Sequence, residues 1–122
     1  MVEVLLWMPD AESVERQLFG RGWTLHAPHL LDIEVAQVVR RYTAGDEIDE
    51  STGRAALVTL AELPLRRYPH GVLLPRIWDL RHNFTAYDAA YVALAEALDA
   101  TLLTRDRRLA ASARRHARVE LV

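Results

Sequence analysis

The segment from Thr85 to Leu98, TAYDAAYVALAEAL, constrains the fold more than any other part of the chain. Alanine, aromatic and aliphatic residues occupy nearly every side of it, so it reads as a helix covered over most of its surface. It leads directly to Thr101-Leu102-Leu103-Thr104, a short apolar run that reads as a buried strand. A buried helix feeding a buried strand calls for helices laid on a sheet. Two acids stand at the ends of these elements, Asp88 in the first turn of the helix and Asp106 just past the strand.

The same alternation recurs along the chain. Thr24-Leu25-His26-Ala27 reads as a short strand ended by Pro28. Leu31, Val35, Val38, Val39 and Tyr42 fall at helical spacing between Leu30 and Tyr42, and Gly45 stops that helix. Asp49 or Ser51 caps a further helix that runs to about Leu63, before Pro64. Leu65-Arg66-Arg67-Tyr68 is a weak strand signal, and Val72 to His82 reads as a helix with Pro75 near its start, where proline is tolerated. Asp106 to His116 reads as a helix and Val119-Glu120-Leu121-Val122 as a closing strand. At the front, Val4, Leu5, Val14 and Leu18, with Pro9-Asp10 between them, suggest two short helices over Glu3 to Phe19. The pattern is that of an α/β sandwich around a mostly parallel sheet, read as one domain over 1–122. In such folds ligands bind outside the carboxyl ends of the strands, and Asp106 follows one such end.

Composition removes several classes of function. There is no cysteine, hence no disulfide and no thiolate metal site. No apolar run approaches the ~18–20 residues of a membrane span. Met1-Val2-Glu3-Val4-Leu5-Leu6 is too short and too acidic for a signal peptide, so the expectation is a cytoplasmic protein without membrane association. The serine-hydrolase GxSxG, the P-loop and GxGxxG are all absent. All 15 basic side chains are arginine, and the net charge is −2. Nucleic acid, if bound, must therefore be held by local arginines rather than by the field of the whole molecule.

Each acid has an ordinary structural explanation. Thr85-Ala86-Tyr87-Asp88 fits a capping box, and Asp106 fits an N-cap before Arg107-Arg108-Leu109, each contributing on the order of 1 kcal/mol. Glu34 is harder to explain that way, being set early in a helix whose other face is Leu31, Val35, Val38 and Val39. Its neighbour Asp32 reads as a solvated first-turn acid. Three helix starts thus present one carboxylate each. Carboxylates gathered at a sheet edge repel one another, and a hard divalent ion with oxygen ligands relieves that repulsion. Such an ion activates water and neutralises phosphate charge.

Three stretches carry a resemblance: PHLLDIEVAQVVRR from Pro28, FTAYDAAYVALAEAL from Phe84 and TLLTRDRRLA from Thr101. In order and separation they resemble the PIN-domain ribonucleases of the VapC toxin type, across nearly the whole chain. The resemblance implies a PIN-like three-layer sandwich, a five-stranded parallel sheet between helices, with an acid pocket on its carboxyl edge. It implies that Glu34, Asp88 and Asp106 hold Mg²⁺ or Mn²⁺, and that Thr104 joins the catalytic set as a water-positioning hydroxyl. It also implies a toxin that cleaves RNA, with a cognate antitoxin as partner and a homodimer as its assembly.

One departure from the family pattern has structural weight. Family members begin with a strand of the form VVDAS ahead of the helix that here reads MVEVLL. On that alignment the first central strand and its aspartate are lacking, and the domain is N-terminally shortened. Such a sheet is expected to be poorly stable unless something fills the slot. The same departure motivates an alternative, a catalytically inactive PIN-like module that retains antitoxin or RNA binding.

Arg105 and Arg107, nearest Asp106, are the candidate phosphate contacts. Arg81 and His82 precede the Asp88 helix and are read the same way, whereas Arg114 and Arg115 fit a solvated helix face. His26 and His29 straddle Pro28 and read as surface residues. Trp7, Trp23 and Trp78 read as core or partner contacts, with Trp7 and Met8 leaving an apolar surface where an antitoxin can dock.

Overall fold

The computed structural model describes residues 2–5 and 24–122. Among them, five strands form one parallel sheet in the order β3-β2-β1-β4-β5. The strands are β1 (Val2–Leu5), β2 (Thr24–Pro28), β3 (Leu65–Tyr68), β4 (Thr101–Thr104) and β5 (Val119–Leu121). The helices are α1 (Leu30–Ala44), α2 (Glu50–Glu62), α3 (Leu74–Asp79), α4 (Ala86–Leu98) and α5 (Arg107–Ala113), with a 3₁₀ turn at Gly71–Leu73 before α3. The α/β reading of the sequence is the fold observed.

The front of the chain corrects the sequence reading. Val2–Leu5 is a strand, not part of a helix, and it occupies the centre of the sheet that was expected to lack one. Val2, Glu3 and Val4 pair in parallel with Thr24, Leu25 and His26. On the other side Glu3, Val4 and Leu5 pair with Thr101, Leu102 and Leu103. So short an apolar run cannot be assigned to helix or strand by periodicity. Here the open centre decides, because the inner edges of β2 and β4 carry buried backbone groups that require partners. The remainder of the two helices expected up to Phe19 lies outside the described residues, as do Trp7, Met8 and Trp23.

Helix α4 is buried from Ala89 through Ala95, as its all-round apolar sequence requires. It lies against β1, β2 and β4 and takes α3 on its outer side, while α5 covers β4 and β5. Helix α1 packs on β2 through Leu31 and Val35, and α2 packs on α1. The α1–α2 approach is close at Gly53, where a Cβ would stand 3.0 Å from Thr43 Oγ1 and 3.2 Å from Val39 Cγ1. Helix α4 ends at Asp99, in the left-handed region at φ 50°, and Arg118 holds that turn by donating to the Asp99 carbonyl at 2.7 Å.

Two boundaries and three residues differ from expectation. The Val72–His82 segment splits into the 3₁₀ turn and a short α3, and the last helix stops at Ala113. His26 is 7% exposed rather than on the surface, because β2 is an inner strand. Its ring nitrogens are satisfied by Tyr68 Oη at 2.6 Å and Thr24 Oγ1 at 3.1 Å. Burial, with the charge of Arg66, pushes its pKa down. Trp78 is exposed, not core, and lies under the Arg81 guanidinium at 4.3 Å. Asp32 is not merely solvated: Arg67 Nε donates to its Oδ2 at 2.8 Å, tying α1 to β3.

Candidate active site

From β1 the chain runs outward through β2 to β3, then returns on the other side of β1 as β4 and β5. The centre of the sheet is therefore a topological switch point, where open α/β sheets bind ligands at the carboxyl edge. Three helix starts meet that edge. Helix α1 follows the end of β2 directly and brings Glu34. Helix α4 precedes β4, so it runs back across the sheet and must start at the carboxyl edge, which brings Asp88 there. Helix α5 follows β4 and is capped by Asp106.

Both helices have their N-cap hydrogen bonds. Thr85 Oγ1 accepts from the Asp88 backbone N–H at 3.1 Å, and Asp106 Oδ1 accepts from the N–H groups of Arg108 at 2.9 Å and Leu109 at 3.1 Å. Yet the carboxylates also act on one another. Burial pushes the Glu34 carboxyl up; a hydrogen bond from Tyr91 draws it back, and the charge of Asp88 adds to the rise. Burial likewise raises Asp88, the charge of Asp106 adds to it, and the Thr85 hydrogen bond opposes it. Asp88 is thus the electrostatic link between Glu34 and Asp106. Glu34 and Asp88 have no cationic partner among the described residues.

Tyr91 is the residue that the sequence reading missed. It stands one helical turn after Asp88 on α4, is 0% exposed, and its hydroxyl donates to Glu34 Oε1 at 2.5 Å. The bond fixes one oxygen of Glu34 and leaves the other for a ligand. The Asp-x-x-Tyr spacing, which puts both groups on one helix face, was the available signal. Thr104 is 1% exposed and its Oγ1 accepts from the Asp106 backbone N–H at 3.0 Å, so it sets the turn that presents Asp106.

A cleft of about 660 Å³ opens at this edge, lined among others by Glu34, Thr104, Arg105 and Asp106. Arg105 therefore borders the acids, while Arg107 is exposed on α5 and is not part of the lining. No three acids or histidines converge into a tight cage among the described residues. Loosely gathered carboxylates without a paired cation still fit one kind of ion. Magnesium-like ions take one or two carboxylates and keep several waters, and the unrelieved repulsion here is what such an ion would neutralise.

No family model matches the chain. Comparison with characterised proteins is more informative. The chain is 53% identical over 116 residues to Ribonuclease VapC1 of Mycobacterium tuberculosis, spanning 84% of this chain and 87% of that one. It is 40% identical over 121 residues to Ribonuclease VapC12 of the same species, spanning 99% and 92%. In fold it matches the crystal structure of PAE2754 from Pyrobaculum aerophilum with a TM-score of 0.74 at 20% identity, covering 97% of this chain and 83% of that one. It also matches VapBC2 from Rickettsia felis, solved bound to a DNA fragment from their promoter, with a TM-score of 0.65 at 14% identity, covering 99% and 98%. By its identity to these ribonucleases over most of both lengths, the chain belongs to the VapC family of PIN-domain proteins.

Proposed function

We propose that the chain is an endoribonuclease that hydrolyses RNA phosphodiester bonds with Mg²⁺ or Mn²⁺, as the toxin of a toxin–antitoxin pair in the cytoplasm. The observation that carries this is that three helix starts bring Glu34, Asp88 and Asp106 to the carboxyl edge of the sheet at its switch point, in a family whose relatives are named ribonucleases. Glu34, Asp88 and Asp106 are the residues that would hold the cation, directly or through water. A cation held there would supply a nucleophile at neutral pH and neutralise charge on the phosphate. Tyr91 orients Glu34, Thr104 fixes the turn that presents Asp106, and Arg105 orients the strand at the cleft, with Arg107 as a contact outside it. No protein nucleophile is required. The VapBC2 likeness supports a cognate antitoxin as partner, and a homodimer is proposed with it. The inactive-module alternative is not favoured, because the relatives are named as enzymes.

The test is cleavage of end-labelled RNA by the 122-residue chain with Mg²⁺ or Mn²⁺, against EDTA and an Asp88→Asn variant. Metal-dependent cutting lost in the variant is expected. Equal cutting by the variant would remove Asp88 from the mechanism, and cutting in EDTA would remove the metal.

A further inference from the structure

Helix α1 carries Glu34, yet its own residues do little to secure its start. The N-cap residue, His29, has helical backbone angles and makes no side-chain cap hydrogen bond. A helix start leaves backbone N–H groups without intrahelical partners, and a capping side chain normally accepts from one of them. Here the acceptor comes from 40 residues away: the Leu30 N–H donates to His70 Nε2 at 2.9 Å. His70 is half-buried just past β3, at the head of the 3₁₀ turn. Beside it the His29 N–H donates to the Tyr68 carbonyl at 2.9 Å, so the chain on both sides of Pro69 grips the start of α1. Leu30 lines the same cleft as Glu34. In a regular helix the Leu30 carbonyl accepts from the Glu34 N–H, so this one residue joins the imidazole to the turn that presents Glu34.

We propose that His70 is a positioning residue for the site: its neutral imidazole clasps the start of α1 and so sets where Glu34 stands, and protonation opens the clasp. To accept at Nε2 the ring must carry its proton on Nδ1. An imidazolium has no acceptor left, and it would put positive charge at the positive end of α1. A serine or asparagine cap has no such sensitivity, because imidazole is the side chain that ordinarily changes charge near neutral pH. From α1, His29 faces the ring edge-on at 6.1 Å, and the first-turn Asp32 is held by Arg67 of β3. The 3₁₀ turn packs on α3 and α4, whose groups charged near neutral pH are Arg76 and Asp79 on the first and Asp88 and Glu96 on the second. Arg76 and Glu96 pair with each other at 3.1 Å. The proposal deepens the site described above and rests on that reading for its consequence at the metal, not for the clasp itself.

Backbone amide exchange of the full chain in EDTA reads the clasp, and isothermal titration of Mn²⁺ into metal-free protein reads its consequence. The variants are His70→Ala and His70→Gln; a glutamine carboxamide oxygen can stand where Nε2 does but does not titrate. His70→Ala is expected to lower the protection of the Leu30 and Glu34 N–H groups about five-fold, as loss of an N-cap does. It should also weaken Mn²⁺ binding about two-fold or more, with His70→Gln restoring both. From about pH 7.5 to about pH 5.5 the unaltered chain should lose first-turn protection that His70→Gln keeps. His29, Glu34 and Asp88 are present in both proteins, so the difference belongs to His70. That comparison also decides where His70→Ala fails to fold. Histidine ¹⁵N spectra at neutral pH should show His70 protonated on Nδ1. Unchanged protection in His70→Ala, a folded His70→Gln that restores none of it, equal acid loss in both proteins, or a His70 proton on Nε2 would each overturn the proposal. So would lost protection in His70→Ala with Mn²⁺ affinity untouched, since His70 would then serve the fold alone. His70-dependent protection at Glu34 in a chain that binds no Mn²⁺ would support the clasp and refute the metal reading of the site.

Discussion

Replacing Tyr91 with phenylalanine isolates a single interaction. The ring is 0% exposed and keeps its shape in phenylalanine, so no cavity term enters. What is lost is the hydroxyl that donates to Glu34 Oε1 at 2.5 Å. A hydrogen bond to a charged group contributes ~1.5–3 kcal/mol, and Glu34 is only half-buried, so water recovers part of it. A loss of about 2 kcal/mol is expected at neutral pH, a fall in Tm on the order of 5–10 °C. The hydrogen bond favours the ionised carboxylate and holds the Glu34 pKa lower than burial alone would set it. Its contribution is therefore present above the Glu34 pKa and shrinks as pH falls through it. Urea unfolding of both proteins in EDTA across that range measures the difference directly. A Tyr91→Phe protein as stable as the unaltered chain at neutral pH, or a loss that does not diminish in acid, would show that the hydroxyl does not stabilise the Glu34 carboxylate.

Other substitutions test other parts of the structure. Gly53→Ala gains helix propensity of about 1 kcal/mol, but its Cβ meets Thr43 Oγ1, which is itself bonded to the Val39 carbonyl at 2.9 Å. That hydroxyl yields only by breaking its bond, so net destabilisation of about 1 kcal/mol is expected from thermal melts, and a rise in Tm would contradict the packing. Arg67→Ala removes the bond to Asp32 and a second donated to the Leu60 carbonyl at 2.8 Å, leaving the Asp32 carboxylate without its cation. A loss of about 2 kcal/mol by urea unfolding is expected, discounted for the partly exposed pair. In metal-free buffer, the raised Glu34 and Asp88 carboxyls keep protons that the unfolded chain releases from about 4.5 and 3.8 upward. Stability from these groups thus falls as pH rises through that window, and Asp88→Asn should flatten the fall in melts across pH; an unchanged profile would count against it.

The parts of the fold that the sequence made legible are those with strong local signals. Helix α4 and strand β4 followed from an unbroken apolar pattern, and Thr85 and Asp106 announced their caps by residue type. Strand β1 was not legible, because four residues with two valines fit either element until β2 and β4 are seen to flank an open slot. His26 was misplaced for a related reason: only the sheet order shows that β2 is an inner strand, and only the fold brings Tyr68 to its ring. Within the candidate site, helix starts and strand ends pointed to the sheet edge where the fold brings Glu34, Asp88 and Asp106. Tyr91 stayed hidden because its alanine-rich surroundings read as core, and its partner Glu34 lies 57 positions away in sequence.

The role proposed for Glu34 and Asp88 is to hold a divalent cation, beyond any service to their own helices. Isothermal titration of Mn²⁺ into the metal-free chain tests it most directly, with Asp88→Asn and Glu34→Gln alongside. Saturable Mn²⁺ binding by the unaltered chain is expected, weakened at least ten-fold in either variant while both variants remain folded. Mn²⁺ binding of equal strength in all three proteins, or none in any of them, would contradict it.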